Sequence, residues 1–307
     1  MRATFIFDPK GILRGVDIHD NRVGRSTSEI LRKLAAAKYV QEHPDEMCPA
    51  SWKPGEPTIN WKTEAAKVSR IKTGIDGLDA KLNGGLEKNK VFLIAGESGT
   101  GKTIFGLQFI YFGLKNGENA IYVAVHEKPE DIINDAKSFG WDLEVYLKSK
   151  KLIILDMSPY ISKVDEGETL SVRRLMADLS KYAHENNAKR LVIDDSIDYI
   201  SSHASKSDKE SGEYIRSIIM SIEENLGCTA LITATMRPGA KELSPSGMEE
   251  RIANGVIVLG TDNKGSSSRL MNIKKMRGTH IDISNYVYYI DPKKGIVVPV
   301  KSLDRGV

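Results

Sequence analysis

Short apolar runs alternate with amphipathic stretches through the middle of this chain. The runs cover residues 91–95, 120–125, 152–155, 191–193 and 229–234. Uninterrupted apolar runs of this length are typical of strands buried on both faces, and the stretches between them have the spacing of amphipathic helices. The alternation predicts an α/β fold with a mostly parallel sheet flanked by helices.

The pattern changes at both ends of the chain. Residues 256–260, 269–276 and 286–298 indicate successive strands with little room for helices, so we expect the sheet to finish in antiparallel C-terminal pairs. Residues 2–11 predict a strand entering a tight turn, residues 12–18 its return strand, and Ser26 the start of a helix to about Glu42. We therefore divide the chain into an N-terminal hairpin and helix (1–59), a linker (60–68) and a main domain (69–307).

Composition narrows the class of protein. The 307 residues carry a formal net charge of +3 and two cysteines, Cys48 and Cys228, with no leader-like start and no apolar run of membrane-spanning length. These features indicate a soluble cytoplasmic protein that has no disulfide framework and no membrane partner. The weak charge neither requires nor excludes a nucleic-acid partner, because binding to a polyanion depends on clustered charge.

A glycine-rich octapeptide directly follows the first apolar run. Its residues are Gly96-Glu97-Ser98-Gly99-Thr100-Gly101-Lys102-Thr103, and a helix is predicted after it from Ile104 to Leu114. In this context the glycines let backbone N–H groups turn toward one anion. Lys102 can then reach the β- and γ-phosphates, and the Thr103 hydroxyl can ligand Mg²⁺. The octapeptide predicts a P-loop that holds ATP with Mg²⁺.

An acidic pair, Asp194-Asp195, follows the apolar run at residues 191–193. We expect this strand to neighbour the P-loop strand, where a carboxylate at the carboxyl end can hold a nucleotide-bound Mg²⁺. Asp194 is the candidate ligand. The alternative is a helix cap or loop acid, because Asp195 and Ser196 are good capping residues.

Several ordered motifs accompany the P-loop. They are Ser69-Arg70-Ile71-Lys72-Thr73-Gly74-Ile75-Asp76-Gly77-Leu78-Asp79, Gly84-Gly85-Leu86, Ser138-Phe139-Gly140-Trp141-Asp142, Gly255-Val256-Ile257-Val258-Leu259, Lys275-Met276-Arg277-Gly278-Thr279 and Lys294-Gly295-Ile296-Val297-Val298. Through these motifs the chain, from about residue 69 to 300, resembles KaiC-like ATPases of the RecA/RadA superfamily. The resemblance implies a RecA-like P-loop core whose ATP lies between adjacent subunits of a ring.

The resemblance also implies a contribution from the neighbouring subunit. In that family the Lys and Arg of a K-x-R-G motif reach the neighbour's γ-phosphate, and Lys275 and Arg277 match them. Being two residues apart in a predicted strand, they project from one face and can stabilise charge on a transferring phosphoryl group. The alternative is a solvated pair that protects an edge strand. We therefore expect a homo-oligomer, with a hexameric ring as one form.

Three positions depart from the pattern of related proteins. Paired glutamates are replaced by His126-Glu127, so either residue is a candidate to activate water, while a polar strand-end role is the alternative for His126. A γ-phosphate-sensing Gln or Glu is replaced by Thr235. The family's circadian clock member phosphorylates itself on an adjacent Ser-Thr pair. The matching place here is Glu250-Arg251, so autophosphorylation is not expected.

Two loops match the DNA-binding loops of the superfamily's recombinases. Residues 201–212 and 237–250 contain as many acidic as basic side chains or more, and no aromatic ones. Binding to a DNA backbone needs unbalanced positive charge, and base stacking needs aromatic rings. Nucleic-acid binding is therefore not favoured.

The first 59 residues carry a second resemblance. Val23-Gly24-Arg25-Ser26 and Met47-Cys48-Pro49-Ala50-Ser51-Trp52-Lys53-Pro54-Gly55 resemble the C-terminal part of a two-cysteine peroxiredoxin. Cys48 matches the resolving cysteine, but the peroxidatic cysteine that such a thiol attacks has no counterpart in the chain. We interpret the segment as an appended fragment rather than a redox sensor, and Cys228 as a core cysteine.

The leading hypothesis is a slow regulatory or signalling ATPase that works as an oligomer. Lys102, Glu127 or His126, Lys275 and Arg277 would act on ATP, and Thr103 and Asp194 would hold Mg²⁺. The alternative is a nucleotide-dependent regulator that does not hydrolyse ATP, or a recombination mediator that binds single-stranded DNA.

Overall fold

The computed structural model describes residues 2–8, 11–20, 22–24, 26–60, 68–124, 127–157, 172–195, 208–237, 242–244, 247–261 and 268–299. Contacts within the chain divide it into two compact units, Met1–Val68 and Ser69–Val307. The P-loop and the large sheet belong to the second unit.

The first unit consists of a hairpin, a helix and a short ribbon. Its elements are β1 (Arg2–Phe7), β2 (Leu13–His19), α1 (Thr27–Glu42), β3 (Glu46–Met47) and β4 (Ile59–Asn60). Ser26 caps α1, because its hydroxyl accepts a hydrogen bond from the Glu29 amide at 3.2 Å. Trp52 is buried, and its ring lies 5.0 Å from that of Tyr39 on the helix. The predicted hairpin and helix are confirmed.

The second unit is built on one large sheet. Its strands are β5 (Arg70–Ile71) and β6 (Leu86–Glu87), which pair separately, and β7 (Val91–Gly96), β8 (Asn119–Ala124), β9 (Leu152–Asp156), β10 (Ala188–Asp194), β11 (Thr229–Thr235), β12 (Gly255–Thr261), β13 (Arg269–Met276), β14 (Asn285–Asp291) and β15 (Gly295–Val297). The nine-stranded sheet has the order β15-β14-β13-β12-β7-β11-β10-β8-β9. The strands from β12 to β9 are parallel, and β13, β14 and β15 add antiparallel pairs. The predicted fold class is confirmed.

Helices cover both faces of the sheet. They are α2 (Leu78–Lys81), α3 (Lys102–Lys115), α4 (Pro129–Ser138), α5 (Glu144–Lys148), α6 (Val172–Glu185), α7 (Asp208–Ser221), continued by a π-helix (Ile222–Leu226), and α8 (Glu249–Ile252). Alternate residues of a strand face opposite helical layers. Tyr122 of β8 packs in the cluster that contains α3, whereas Ile121 and Val123 pack in the cluster that contains α6 and α7.

The helix after the P-loop lies unusually close to the sheet. A Cβ atom at Gly106 would lie 2.9 Å from Val192 Cγ1, and one at Gly113 would lie 2.1 Å from Arg190 Nε. Arg190 is fully buried; it pairs with Glu118 at 2.5 Å, donates to Phe109 O at 2.9 Å and lies against the Phe109 ring. Two glycines on one face of α3 therefore let the helix lie directly on β10.

Two details differ from the expectations. Residues 286–298 form two strands rather than one, because Asp291 Oδ1 accepts hydrogen bonds from the Lys293 and Lys294 amides and closes a turn between β14 and β15. The strand that ends at Asp194 does not neighbour the P-loop strand, since β11 lies between them. Among the helices of the described residues, none is long and apolar enough to cross a bilayer.

Replacing Gly113 by Ala tests the close packing of α3. Helix propensity alone would stabilise the protein by about 1 kcal/mol. We expect instead a loss of about 1–3 kcal/mol, because the methyl group would displace the buried Arg190 guanidinium. The measurement is the free energy of unfolding in urea, with exposed Lys115→Ala in the last turn as the control. A Gly113→Ala protein as stable as the wild type would contradict the packing.

Candidate functional site: the P-loop and the two edges of the sheet

The P-loop joins the central strand β7 to the start of α3. Gly99 and Gly101 have φ angles of 78° and 100°, in the left-handed region that favours glycine. A Cβ atom at Gly96 would lie 2.5 Å from Leu259 O, so this position has no room for a side chain. The predicted loop and helix are thus present. Gly99 and Gly101 are favoured by their backbone conformation, and Gly96 by the lack of space for a side chain.

Side chains from the antiparallel strands hold the loop. The buried Tyr288 of β14 donates its hydroxyl hydrogen to Thr100 O at 2.5 Å, and Arg269 Nη1 donates to Gly99 O at 2.7 Å. Thr100 Oγ1 also donates to Glu97 O at 2.8 Å. The antiparallel strands thus engage the Gly99 and Thr100 carbonyls, whereas the Glu97 carbonyl is bonded within the loop itself.

Lys102 lies across the loop that precedes it. Its Nζ donates to Gly96 O at 3.0 Å and to Glu97 O at 3.1 Å, and the residue is buried. Thr103 follows in the first turn of α3, where backbone N–H groups point along the helix axis toward the loop. A phosphate in the loop would compete with the two carbonyls for the Lys102 ammonium.

Asp194 ends β10 with both carboxylate oxygens oriented. Oδ2 accepts a hydrogen bond from Tyr122 Oη at 2.6 Å, and Oδ1 accepts one from Thr233 Oγ1 at 2.5 Å. Burial, followed by the Asp194 charge, raises the pKa of Tyr122 well above its usual range, so the phenol stays a donor. The carboxylate lies at the same edge of the sheet as the P-loop, one strand further away than expected.

Glu127 lies three residues beyond β8, just before α4. Desolvation raises the pKa of its carboxyl, and the charge of Asp194, followed by those of Asp135, Asp131 and Asp195, raises it further. Glu127 therefore lies close enough to Asp194 for the charges of the two carboxyl groups to interact. His126, the other candidate base, lies outside the described residues.

Thr235 ends β11 beside the P-loop. It is level with Gly96 in the parallel pairing of β11 with β7, and the next amide, of Met236, donates to Gly96 O at 3.0 Å. The Thr235 hydroxyl donates to Asp195 Oδ1 at 2.8 Å. The position matched to a sensor therefore contacts the loop strand on one side and the acidic pair on the other.

Lys275 and Arg277 converge at the opposite edge of the sheet. Lys275 Nζ donates to Arg251 O at 2.9 Å, and Arg277 Nη2 donates to the same carbonyl at 3.0 Å. Burial, followed by the Arg277 charge, lowers the pKa of Lys275. Arg277 follows the last residue of β13, yet both cations reach one side, as their spacing predicted.

The register of the sheet measures how far these cations lie from their own P-loop. Met276 is level with Gly255, and Gly255 is level with Phe92 near the start of β7. From Phe92 to Gly96 the strand advances about 13 Å, at roughly 3.3 Å per residue. The cations are bound at the end of the sheet from which β7 starts, whereas the P-loop follows the end at which β7 finishes.

The remaining predicted residues fall in different places. Glu250 and Arg251 lie in the four-residue helix α8, whose carbonyls hold Lys275 and Arg277. Cys228 is buried, which raises the pKa of its thiol to about 11, and its Sγ lies 3.2 Å from Ala188 O. Of the loops matched to DNA-binding loops, residues 201–207, 238–241 and 245–246 lie outside the described residues.

Sequence reasoning missed four residues that hold the site together. They are Tyr122, Thr233, Arg269 and Tyr288. A tyrosine within an otherwise aliphatic buried run is a usable signal for Tyr122, since a buried phenol needs a hydrogen-bond partner. Tyr288 and Arg269 reach the loop from strands nearly two hundred residues away in sequence, so no local pattern could have indicated them.

Comparisons with known proteins agree on one family. A family model described as an ATPase, KaiC, matches residues 71–302. A UPF0273 protein of Pyrococcus horikoshii is 34% identical over 249 residues, covering 77% of this chain and 97% of the relative. The circadian clock protein KaiC3 of Synechocystis is 32% identical over 247 residues, covering 78% of this chain and 48% of that protein.

A solved structure agrees with these sequence matches. The crystal structure of a KaiC-like protein from Pyrococcus horikoshii superposes with a TM-score of 0.65 at 34% sequence identity. The superposition covers 76% of this chain and 99% of the archaeal one. The similarity therefore extends over the whole of that KaiC-like protein.

Replacing Tyr288 by Phe tests the support of the P-loop from behind. Loss of the hydroxyl leaves the buried Thr100 carbonyl without that donor, and we expect a cost of about 1–3 kcal/mol in the free energy of unfolding. The neighbouring Tyr289 is 49% exposed and serves as the matched control. Tyr289→Phe should stay within about 0.5 kcal/mol of the wild type. Equal effects of the two substitutions in urea unfolding would contradict the role of Tyr288.

Proposed function

The chain belongs to the KaiC ATPase family, and from that premise we propose that it binds Mg-ATP and hydrolyses it slowly as an oligomeric regulatory ATPase. The observation that carries the proposal is the P-loop at the end of the central strand, with Asp194 oriented at the same edge. Membership of the KaiC ATPase family supports nucleotide binding. The side chains at this end of the sheet are of the kinds that bind phosphate and Mg²⁺.

The donor set fits a nucleotide with its metal. A Cβ atom at Gly99 would meet nothing within 4 Å, so the face of the loop is open. Lys102 binds the β- and γ-phosphates, and Thr103 and Asp194 offer the hydroxyl and carboxylate oxygens that Mg²⁺ prefers in proteins, where one or two carboxylates act with substrate phosphates. Mg²⁺ held by these residues would neutralise charge on the phosphates.

The residue that activates water is an acidic one, Glu127. Glu127 accepts the proton of the attacking water, because its carboxyl lies within electrostatic reach of Asp194 at this end of the sheet. It stands where the family places a glutamate pair, beside His126 instead of a second carboxylate. This altered environment is the reason for proposing slow turnover.

The two edges of the sheet together support an oligomer. Lys275 and Arg277 are held far from the P-loop of their own chain, so they can stabilise a γ-phosphate only in another copy. A contact that joins opposite ends of identical subunits is head-to-tail, and such contacts form a ring when the rotation between neighbours closes. We propose that each site is completed by its neighbour's Lys275 and Arg277.

We propose that the N-terminal unit packs through the apolar face of its hairpin and has no peroxidase activity. Burial, followed by the Glu46 charge, raises the pKa of the Cys48 thiol, which keeps it from being a ready nucleophile. The outer face of the hairpin exposes Phe5, Phe7 and Ile18. These features suit an appended peroxiredoxin-like fragment better than a redox sensor.

Measured turnover tests the enzymatic proposal. The wild type should release phosphate from ATP with Mg²⁺ at a rate well above that of Lys102→Ala, because only the wild type holds the β- and γ-phosphates with an ammonium. Tight ATP binding without turnover above this control would favour the non-hydrolysing regulator. A salt-sensitive shift of labelled single-stranded DNA would favour the recombination mediator.

Mixing two inactive variants tests the shared site. Lys102→Ala and Arg277→Ala should each lose most activity when alone. In an equal mixture, a site needs an intact P-loop and an intact neighbour, each present in half of the chains, so about one quarter (1/2 × 1/2) of the activity should return. The control mixes Lys102→Ala with Lys102→Met, which cannot complement. No recovery in mixed oligomers whose exchange is verified by mass would exclude the trans role.

A further inference from the structure

We propose that Arg70 is a positioning residue, which fixes the turn that carries Arg277 so that its chain can complete the nucleotide site of a neighbouring subunit. The inference rests on the proposed shared site, in which Lys275 and Arg277 act across the subunit interface. It extends that site to the β5–β6 segment, residues 70–87, which contains none of the residues assigned to ATP or Mg²⁺.

Arg277 lies in a tight turn that follows β13. Gly278 has a φ angle of 63°, in the left-handed region that favours glycine, and the Thr279 amide donates to Met276 O at 3.3 Å. The Thr279 hydroxyl donates to Arg277 O at 3.4 Å. The direction in which the Arg277 side chain leaves the backbone therefore depends on the conformation of this turn.

Arg70 binds the turn from a strand that lies 209 residues earlier in the chain than Thr279. Its Nη2 donates to Thr279 Oγ1 at 2.9 Å, and its Nη1 donates to Gly85 O at 3.0 Å. A guanidinium group is planar and its N–H groups have fixed directions, so the bond to the Gly85 carbonyl also sets where the bond to Thr279 can form. Arg70 thus ties the turn to the β5–β6 pair.

Asn254 holds the same turn from the side of the large sheet. The Arg277 amide donates to Asn254 O at 2.8 Å, and the Asn254 amide donates to Val91 O, at the start of β7, at 2.7 Å. Asn254 is buried, and its Nδ2 donates to Glu87 Oε2 of β6 at 3.3 Å. The backbone of the turn is therefore anchored to the central strand through Asn254 and to the β5–β6 pair through Arg70.

The charged ends of the two cations are held differently from the backbone of the turn. Lys275 Nζ and Arg277 Nη2 both bind the Arg251 carbonyl of their own chain, and they must leave it to reach a neighbour's phosphate. The backbone contacts made by Arg70 and Asn254 do not involve these charged ends, so they persist when the ends change partner. Arg70 therefore keeps the base of the Arg277 side chain in place, which favours a productive orientation of its guanidinium group.

Turnover of the full-length protein tests the positioning role. A displacement of about 1 Å can cost a reacting group about a hundredfold in rate, so Arg70→Ala should lower kcat by about tenfold. Thr279→Val, which removes the acceptor, should lower kcat in the same direction, whereas Thr279→Ser keeps the hydroxyl and should retain wild-type turnover. The double variant Arg70→Ala/Thr279→Val should be no slower than Arg70→Ala alone, because both substitutions remove one contact.

Lys81→Ala is the matched control for Arg70→Ala. It removes a half-buried cation from the same segment, but the Lys81 ammonium lies 4.0 Å from the centre of the Tyr286 ring and makes no printed-distance contact with the turn. This control should turn over ATP at the wild-type rate. A loss equal to that of Arg70→Ala would overturn the inference, because the effect would then be common to any cation of the segment.

Mixing variants separates positioning in trans from a general loss of structure. In an equal mixture of Arg70→Ala with Lys102→Ala, a complete site combines the P-loop of the first variant with the cations of the second. Such sites make up about one quarter of the total, so activity should rise to about a quarter of the wild-type value. A mixture of Arg70→Ala with Arg277→Ala should not exceed the mean of the two variants alone, because every neighbour is then defective.

The outcomes separate this inference from the proposed function. A wild type without turnover, or Arg277→Ala with wild-type turnover, removes the proposed shared site and the inference with it. Where both behave as proposed, recovery in the mixture of Arg70→Ala with Arg277→Ala overturns only the inference, because Arg70 would then serve the P-loop of its own chain. No recovery of Arg70→Ala with Lys102→Ala, in mixed oligomers verified by mass, also overturns it, since the substitution would then damage the whole subunit.

Discussion

The close contact between α3 and β10 is the constraint on which the nucleotide site depends. Gly106 and Gly113 let the helix lie on Val192 and on the buried Arg190, which is paired with Glu118. Because the P-loop is the connection between β7 and this helix, its shape follows from how closely the helix sits on the sheet. A helix held further away would draw Lys102 from the end of the central strand, where the loop's N–H groups can face an anion.

The P-loop with its acidic residues and the two cations lie at opposite ends of the parallel strands. The P-loop, Asp194, Glu127 and Thr235 lie toward the edge where the parallel strands finish, whereas Lys275 and Arg277 are bound at the other edge, on the carbonyls of α8. The antiparallel strands connect the edges, since β13 carries one cation and β14 supports the P-loop through Tyr288. Within one chain the two cations and the P-loop therefore lie apart.

A network of hydrogen bonds holds Asp194 at the end of β10. Tyr122 and Thr233 donate hydrogen bonds to the carboxylate, and Thr235 at the end of β11 donates to Asp195, the residue after β10. Buried networks of this kind have one satisfied arrangement, so a change at one end is felt at the other. The position of the Asp194 carboxylate therefore depends on side chains of both β8 and β11.

The sequence by itself determined the α/β fold, the P-loop and its helix, the strand ending at Asp194, and the small N-terminal hairpin and helix. These depend on local periods, caps and glycine positions that neighbouring residues encode. Only the tertiary structure decided that β11 separates β10 from β7, that Tyr288 and Arg269 support the loop, that Thr235 meets Asp195, and that Lys275 and Arg277 lie away from their own P-loop. Strand order and register are set by side-chain packing between segments far apart in the chain, and no local pattern encodes that packing.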